Sequence, residues 1–457
     1  MQEGGIKVSR YISNTQEQQA EMLGDLGLKS IEDLFQDIPK NLRLTRNLDL
    51  PPELSEMELL KLMGSLAKKN SNLEEYACFL GAGAYDHFVP SVIDHLLSRQ
   101  EFYTAYTPYQ AEISQGTLQA IFEYQTMICE LTGMDVANAS MYDGASALAE
   151  AGLMACQATN RHEILIARTV HPESREVMAT YSQFRNIRVK EIDYADGQVD
   201  LEDLASKLSP NTAVVIVQSP NFFGIIEQLK EIGDLAHANK SLFVVSADPI
   251  SLALLKAPGE LGADIVVGEG QALGNPISFG GPYLGFFATG EQYMRRMPGR
   301  VVGQTKDKFD KRGYVLTLQT REQHIRREKA TSNICSNQAL NALAATIYLT
   351  LLGKEGLREV ASLCLQKSHY AYNQLIASGK FSPQFKAPFF KEFVVKSQRP
   401  IGELNSMLWE EKIIGGYDLG KTYPELQEGW LIAVTEKRRR EEIDQLVERV
   451  GGKRDER

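Results

Sequence analysis

The chain has 457 residues, a formal net charge of −10, 43% hydrophobic residues and 24% charged residues. This balance is typical of a globular protein with ample apolar material for a core. The negative charge argues against a nucleic-acid-binding protein, because such a protein usually needs a basic face to neutralise phosphates. The one basic run, Lys437–Arg440, starts an amphipathic stretch and is interpreted as a solvated helix face.

Targeting signals and metal-binding patterns are both missing from the sequence. Residues 1–20 are polar and lack the apolar centre of a signal peptide, and no window of about 18 apolar residues predicts a transmembrane helix. The seven histidines form no H-x-x-x-H spacing. We therefore expect a cytoplasmic protein without a metal site or a membrane contact. Reduced thiols are expected at the five cysteines, none of which belongs to a C-x-x-C pair: Cys78, Cys129, Cys156, Cys335 and Cys364.

The first elements along the chain are predicted to be helical. Apolar residues recur at helical spacing in Gln19–Leu26 and in Glu56–Leu66, and prolines at positions 39, 51 and 52 break the pattern between them. A longer helix is predicted over Thr117–Thr132, with Gly133 as its C-cap. Residues 1–75 are accordingly assigned to an N-terminal helical segment.

An alternation of strands and helices follows in the middle of the chain. Five short apolar runs, rich in β-branched or aromatic residues, are flanked by Gly, Pro, Ser or Asp: Ile164–Ala167, Val214–Val217, Leu242–Val245, Ile265–Val267 and Leu284–Ala288. Continuous apolar strands that alternate with helices predict a mostly parallel sheet covered by helices on both faces. The sequence thus indicates a large α/β domain over residues 76–335.

The pattern changes after about residue 335. Two long helices are predicted over Asn337–Gly353 and Gly356–Gly379, two strands over Glu392–Val395 and Trp430–Val434, and a final helix over Arg440–Val450. These elements predict a small C-terminal α+β domain over residues 336–457.

Chemistry-bearing residues follow several of the predicted strands, where open α/β sheets bind their ligands. Asp248 comes after the strand 242–245 and could either hold a cationic ring nitrogen or cap the next helix. His171 comes after the strand 164–167 and could either stack on an aromatic cofactor or be an ordinary surface histidine. The turn Asp143–Ser146, with Ala145 and Ser146, precedes a predicted helix, so it could bind an anion or act only as an N-cap.

The order of a small-residue turn, a histidine and an aspartate resembles the fold-type I enzymes that use pyridoxal 5′-phosphate (PLP). Such an enzyme also needs a Schiff-base lysine in the loop after the next strand. That loop, Gly268–Pro276, has Gln271 and Ala272 at its centre and contains no lysine; the nearest are Lys256 and Lys306. The glycines of this loop resemble a dinucleotide-binding fingerprint only loosely, since they do not open a first βαβ unit. The architecture of a PLP enzyme is therefore predicted without its covalent anchor.

The segment Tyr103–Gly116 has the most unusual composition in the chain. It groups Tyr103, Tyr106, Tyr109 and Glu112 around one proline, which suits neither a strand nor a helix interior. Aromatic hydroxyls beside a carboxylate favour a polar pocket or an interface. An irregular loop whose tyrosines merely pack is the alternative. We call residues 103–116 the tyrosine segment.

Several long motifs resemble the glycine cleavage P-proteins, and the resemblance covers nearly the whole chain. The sequence reads YTAYTPYQAEISQG at 103–116, ANASMYDGASALAEA at 137–151 and ATSNICSNQAL at 330–340. The stretches at 268–289 and 11–39 are similar to the same family. The family exists either as one chain of two homologous halves or as separate α and β subunits. At its length and without the lysine, this chain resembles the α subunit.

The resemblance implies a role in an oxidoreductase that acts on glycine. In the family PLP sits on a lysine of the β subunit, the assembly is an α2β2 heterotetramer, and the active site lies at the α–β interface. The enzyme decarboxylates glycine and transfers the aminomethyl group to the lipoyl arm of the H-protein. The implied contribution of this chain is a set of pocket or interface residues, Tyr103, Tyr106, Tyr109, Glu112 and His87. Ala145, Ser146, His171, Asp248, Gln271 and Ala272 would then be remnants of a duplicated cofactor site.

Two other classes of function remain open at this point. One is a self-sufficient PLP enzyme of the aminotransferase type, against which the missing lysine argues. The other is a partner that only stabilises another subunit, against which the polar composition of the tyrosine segment argues.

Overall fold

The computed structural model describes residues 13–44, 46, 48–330, 332–334 and 336–452. The first two residues of the similar stretch at 11–39, and Thr331 and Cys335 of the motif at 330–340, lie outside these ranges, so the expectation of a reduced thiol at Cys335 is left without a structural outcome. The chain divides into two compact units, Met1–Asn70 and Ser71–Arg457. The predicted domain boundaries at 75/76 and 335/336 stay predictions. None of the helices described is both long and apolar enough to cross a membrane.

Thirteen α-helices are found in the described part of the chain. They are α1 Gln16–Asp25, α2 Glu56–Ala67, α3 Ser91–Leu97, α4 Gln100–Tyr103, α5 Gln115–Thr132, α6 Gly144–Thr159, α7 Pro172–Ser182, α8 Leu201–Lys207, α9 Leu229–Ala238, α10 Gln323–Arg326, α11 Ala339–Ala377, α12 Ile401–Glu410 and α13 Arg440–Gly451.

Seventeen strands are found in the same ranges. They are β1 Ala77–Cys78, β2 Val136–Ala137, β3 Glu163–Ala167, β4 Arg188–Ile192, β5 Tyr194–Ala195, β6 Gln198–Val199, β7 Thr212–Ser219, β8 Leu242–Ala247, β9 Ile265–Glu269, β10 Gly285–Thr289, β11 Val301–Lys306, β12 Arg312–Thr317, β13 Phe381–Pro383, β14 Glu392–Ser397, β15 Ile413–Ile414, β16 Tyr417–Asp418 and β17 Gly429–Ala433.

The central sheet has seven strands in the order β2-β10-β9-β8-β7-β3-β4. Strands β4, β3, β7, β8 and β9 run parallel, and β10 runs antiparallel to both of its neighbours. The mostly parallel sheet and the five apolar strands predicted from the sequence are therefore confirmed. The parallel strands end at one edge of the sheet, and this edge brings together residues that are far apart in the sequence.

The core of the large unit consists of the two faces of this sheet and the helices that cover them. The apolar run 214–217 of β7 is fully buried, as expected for a strand covered on both faces. Helix α6 packs on the sheet with its N-terminus at the carboxyl end of β9, and twelve of its residues from Gly144 to Cys156 are buried. Helix α5 ends at Gly133, whose φ of 69° lies in the left-handed region, so the predicted C-cap is confirmed.

A second, four-stranded sheet with the order β13-β14-β17-β16 forms the C-terminal part of the large unit. Helix α11 leads into it and contains a break at Gly353, where φ is 57° and ψ is −172°. Glycine adopts this backbone conformation readily because it has no Cβ atom. The break separates the two long helices that the sequence predicts. The basic run was interpreted wrongly in one respect: Arg438 is only 3% exposed and is paired with Asp86 at 2.7 Å, because it precedes α13 and points inward.

The N-terminal unit consists of α1, α2 and short 3-10 turns, as the helical spacing predicts. Thr15 and Ser55 begin the two helices with reciprocal capping boxes. Neither helix contains a buried residue, so their stability within this unit depends on capping and on local side-chain pairs rather than on a core of their own.

Candidate functional site

A cavity of about 450 Å³ opens at the carboxyl ends of β3, β7, β8 and β9. We call it the sheet-edge pocket. Five of the six predicted cofactor-site remnants line it: Ala145, His171, Asp248, Gln271 and Ala272. The sixth, Ser146, does not line it; its backbone N–H donates to Asp143 Oδ1 at 2.7 Å inside the capping box of α6.

Asp248 already has a cationic partner inside this pocket. The Nζ of Lys391, a residue that is 2% exposed, lies 2.6 Å from Asp248 Oδ2. The same ammonium lies 3.6 Å from the ring centroid of Tyr85, in the geometry of a cation–π contact. A carboxylate at the end of β8 is where a PLP enzyme holds the ring nitrogen of its cofactor. Here a lysine from the C-terminal part of the chain occupies that place.

His87 belongs to the same buried network. Its Nε2 lies 3.1 Å from Lys391 Nζ, and its Nδ1 lies 2.6 Å from Glu436 Oε2. Burial alone would raise the pKa of Glu436, but the hydrogen bonds from His87 and from the Phe88 N–H lower that pKa to about 2. His87 is 5% exposed, so it orients Lys391 from beneath the pocket and does not lie on an open surface.

Glu269 closes the other end of the pocket. Its carboxyl accepts hydrogen bonds from the backbone N–H groups of Gly144, Gln271 and Leu284 at 2.9, 3.1 and 2.9 Å. Burial raises the pKa of Glu269 to about 7 in spite of these three donors. Gly144 begins α6, so a side-chain carboxyl of this chain occupies the helix N-terminus that would otherwise receive an anionic phosphate.

His171 is covered by a loop of the chain itself. Its Nε2 lies 2.9 Å from the carbonyl oxygen of Ala82, and a Cβ added to Gly83 would lie 2.7 Å from this nitrogen. Burial lowers the pKa of His171, which favours the neutral ring whose Nε2–H donates to Ala82. The ring nitrogen of His171 is thus in contact with Ala82, and Gly83 lies beside it with no room for a side chain.

These contacts decide whether the sheet-edge pocket fits PLP as its resident cofactor. The loop 268–276 offers no lysine. Asp248 is paired with Lys391, Glu269 occupies the N-terminus of α6, and the Nε2 of His171 is hydrogen-bonded to the carbonyl oxygen of Ala82. The residues present therefore do not fit the cofactor, because each group that would hold it is already satisfied by another part of the chain.

One group of side chains in the described ranges has the composition of a metal site. His87, Cys364 and Glu436 place one ligand atom each within 4.8 Å of one another. However, Lys391 Nζ lies 3.1 Å from His87 Nε2, and burial raises the pKa of the Cys364 thiol. A neighbouring ammonium and a protonated thiol both disfavour a bound cation, so the cluster is better described as part of the Lys391 network.

The tyrosine segment lies elsewhere, beside a second cavity of about 250 Å³. Tyr103 and Tyr106 line this cavity and are 71% and 85% exposed, and Tyr109 is 53% exposed. Glu112 is exposed on a 3-10 turn over Ala111–Ile113. The structure thus exposes the three tyrosines and Glu112 and brings Tyr103 and Tyr106 to the same cavity, and it does not bring His87 to them. Whether they contact a substrate stays a prediction.

Three charged or polar residues that organise the sheet-edge pocket are not predicted from the sequence: Tyr85, Glu269 and Lys391. Lys391 and Tyr85 approach Asp248 only through tertiary contacts over more than 140 residues of sequence, and no local pattern signals such a pairing. Glu269 does carry a signal, because it directly follows an apolar strand in the loop that was searched for a lysine. A buried carboxyl beside the N-terminus of α6 could have been expected there.

Comparisons with known proteins agree over nearly the full length of the chain. The family model described as "Glycine cleavage system P-protein" matches residues 9–450. The "Probable glycine dehydrogenase (decarboxylating) subunit 1" of Carboxydothermus hydrogenoformans is 59% identical over 445 residues, which are 97% of this chain and 100% of that protein.

Solved structures agree with this match. A crystal structure of glycine decarboxylase (P-protein) of the glycine cleavage system, in inhibitor-bound form, is 42% identical, with a TM-score of 0.87 over 97% of this chain and 99% of that one. A C-DES variant with glycine covalently linked to its PLP cofactor matches with a TM-score of 0.62, over 83% of this chain and 97% of that one, at 16% identity. The latter likeness concerns the fold alone: the predicted fold class, that of the fold-type I PLP-dependent enzymes, is confirmed.

Proposed function

Because this chain belongs to the glycine cleavage system P-protein family, we propose that it is subunit 1 of a two-subunit glycine dehydrogenase (decarboxylating). In this proposal it completes an active site whose cofactor is held by a second chain. The observation that carries the proposal is the sheet-edge pocket, in which Asp248 is paired with Lys391, Glu269 accepts from the N-terminus of α6, and the loop 268–276 offers no lysine. These features support a partner chain that binds the cofactor.

The proposed reaction is the decarboxylation of glycine followed by transfer of the aminomethyl group to the lipoyl arm of the H-protein. PLP on a lysine of the partner subunit supplies the electron sink for the loss of CO2. The proposed assembly is an α2β2 heterotetramer in the cytoplasm. Neither a nucleic acid nor a membrane is part of it.

The residues of this chain that we assign to the shared site are Tyr103, Tyr106, Tyr109 and Glu112. Their exposure supports this assignment, since hydroxyl and carboxylate groups on an open face are free to meet a polar substrate or a partner surface. Their proposed work is to orient glycine and to line the entrance for the lipoyl arm. His87 is assigned a positioning role toward Lys391, because it is buried between Lys391 and Glu436.

The test is the exchange of glycine carboxyl carbon with labelled bicarbonate, measured with this chain alone, with a subunit 2 partner alone and with the two together, each in the presence of the H-protein. We expect exchange only in the reconstituted mixture. Robust exchange by this chain alone would contradict the proposal and would favour a self-sufficient PLP enzyme. Equal exchange by the partner with and without this chain would reduce its role to a structural one.

A second measurement concerns the cofactor directly. The purified chain is incubated with PLP, desalted and examined by absorbance, with the partner chain as a positive control. We expect no stable imine band near ~420 nm on this chain, because the loop 268–276 has no lysine. A borohydride-fixed adduct mapped to a lysine of the sheet-edge pocket, including Lys391, would contradict the assignment.

A further inference from the structure

Arg300 is a buried arginine whose donors are only partly used. Arg300 as a whole is 8% exposed. One Nη donates to the hydroxyl of Tyr109 at 3.1 Å, and the guanidinium lies 5.5 Å from the centroid of that ring. Its Nε is buried and has no hydrogen-bond partner among the residues that the structure describes. A buried charged donor without an acceptor is costly, so an anionic acceptor for the guanidinium would stabilise this arrangement.

The surroundings of Arg300 offer no such acceptor. It lines the 250 Å³ cavity beside the tyrosine segment, and no Asp, Glu or Lys is among the side chains that line this cavity. The walls are apolar or neutral, with Tyr103, Tyr106 and Thr107 on one side. The guanidinium is therefore the one formal charge that the described lining presents to the cavity.

A helix N-terminus adds a second source of positive potential. Helix α11 begins at Ala339, and Ala339 and Leu340 line the cavity. The N-cap residue Gln338 makes no side-chain cap bond, and the first intrahelical bond runs from the Ala342 N–H to the Gln338 carbonyl at 2.8 Å. The backbone N–H groups of the first helical turn therefore lack intrahelical acceptors, and the helix dipole favours an anion at this end.

We propose that this cavity is a carboxylate-binding subsite, with Arg300 as its anchor and the first turn of α11 and the tyrosine hydroxyls as further donors. A planar guanidinium suits a carboxylate because it can donate two parallel hydrogen bonds. The inference rests on the proposed function and deepens it. The carboxylate comes either from free glycine or from an Asp or Glu side chain of the partner subunit, and the chemistry of recognition is the same for both.

The first arm of the test uses the isolated chain and acetate as the probe. Acetate is titrated into the wild type, Arg300→Met and Arg300→Lys at constant ionic strength, with binding measured by saturation-transfer NMR and by the shift in Tm. Acetamide serves as the uncharged isostere. Arg312→Met is the matched control, because Arg312 is an exposed arginine that also lies over a tyrosine ring. Saturable acetate binding that Arg300→Met weakens at least tenfold identifies a site for a free carboxylate.

The second arm uses the complex reconstituted with the partner. If glycine supplies the carboxylate, Arg300→Met raises the KM for glycine about tenfold to a hundredfold, typical of losing a charge-assisted hydrogen bond, while kcat changes less. If the partner supplies it, Arg300→Met leaves the KM for glycine nearly unchanged and instead weakens subunit association at least tenfold. In either case Arg300→Lys recovers part of the effect.

Fold stability separates this role from a structural one. Because the buried Nε of Arg300 lacks an acceptor among the described residues and only one Nη donates to Tyr109, Arg300→Met should keep or raise the Tm of the isolated chain. The inference is overturned if Arg300→Met leaves acetate binding, the KM for glycine and subunit affinity unchanged, or if it only lowers Tm. Absence of exchange in the wild-type complex would instead contradict the proposed function.

Discussion

The two cavities of the large unit differ in how their polar groups are satisfied. In the sheet-edge pocket, Asp248 is paired with Lys391 and Glu269 accepts three backbone hydrogen bonds. In the cavity beside the tyrosine segment, Arg300 keeps an unpaired Nε within the described residues, and Tyr103 and Tyr106 are largely exposed. In the cavity at the cofactor position the polar groups already have partners, whereas the cavity without a cofactor pattern contains a charged side chain with an unused donor among the described residues.

The difference shows that a position in the fold where ligands usually bind does not ensure that hydrogen-bond donors and acceptors are free to bind one. The carboxyl edge of a parallel sheet is where ligands are expected, but a ligand needs donors and acceptors that nothing else occupies. Unsatisfied buried groups are rare because they cost free energy. Of the eight buried side-chain atoms without a partner among the described residues, the Nε of Arg300 belongs to the one charged side chain that lines the second cavity. The experiments below test each side of this comparison.

The largest effect on the free energy of unfolding is expected when the cation in the sheet-edge pocket is removed. Lys391→Met should lower the free energy of unfolding by about 3–5 kcal/mol, because it leaves Asp248 without its partner in a buried site. Chemical denaturation of the isolated chain measures the change. Lys396→Met is the control, since Lys396 is an exposed lysine on β14, the strand that directly follows Lys391. A decrease in the free energy of unfolding below about 1 kcal/mol would show that the Lys391–Asp248 pair does not stabilise the folded chain.

A smaller effect is expected from the pH dependence of the same pocket. Burial raises the pKa of Glu392 from its ordinary 4.5 to about 7, although the Tyr85 hydroxyl and the Ala82 N–H donate to it at 2.6 and 2.8 Å. Between pH 4.5 and 7 the folded chain thus retains a proton that the unfolded chain releases. The stability contributed by this group is fully present below pH 4.5 and is lost as pH rises through 7.

Glu392→Gln isolates this contribution, because an amide cannot titrate and can still exchange hydrogen bonds with the Tyr85 hydroxyl. The wild type should lose about 3 kcal/mol relative to the variant between pH 4.5 and 8. Parallel denaturation curves across that range measure the difference. Asp248 and Lys391 face the same group and are unchanged in both proteins. A constant difference across the range would show that Glu392 keeps an ordinary pKa.

The smallest effect in free energy is expected in the open cavity. Tyr106→Phe and Glu112→Gln should each lower the exchange activity of the reconstituted complex about tenfold, as expected when a positioned polar group is lost. Their Tm should change little, because both side chains are exposed. Glu123→Gln, at an exposed carboxylate on α5, is the control. Wild-type activity in both variants would remove the tyrosine segment from the active site.

The sequence reveals those features that depend on local pattern. The apolar runs locate five strands of the central sheet, and the parallel order places His171 and Asp248 at one edge, where the structure finds them. Gly133 is readable as a helix cap because only its local backbone matters. These inferences succeed because burial and backbone geometry are encoded within a few residues.

The features that the sequence does not reveal depend on distant partners. Lys391 meets Asp248 across the junction between two sheets, and a lysine before a predicted strand gives no sign of such a pairing. Arg438 looks solvated within a basic run but is buried against Asp86. Arg300 follows a glycine in an ordinary turn, and its unsatisfied Nε becomes visible only when every neighbour is placed. Tertiary electrostatics decides these cases.

The Lys391–Asp248 pair also constrains the paths by which this protein can change over evolutionary time. A PLP site here would require three changes. A lysine would have to appear in the loop 268–276, Lys391 would have to be replaced, and the carboxyl of Glu269 would have to leave the N-terminus of α6. Removing Lys391 first leaves the partly buried carboxylate of Asp248 without its partner, and adding a loop lysine first provides an anchor in a pocket whose polar groups are still paired. No single step yields a working site, and at least one lowers stability, so the proposed division of labour between two chains would resist reversal by single substitutions.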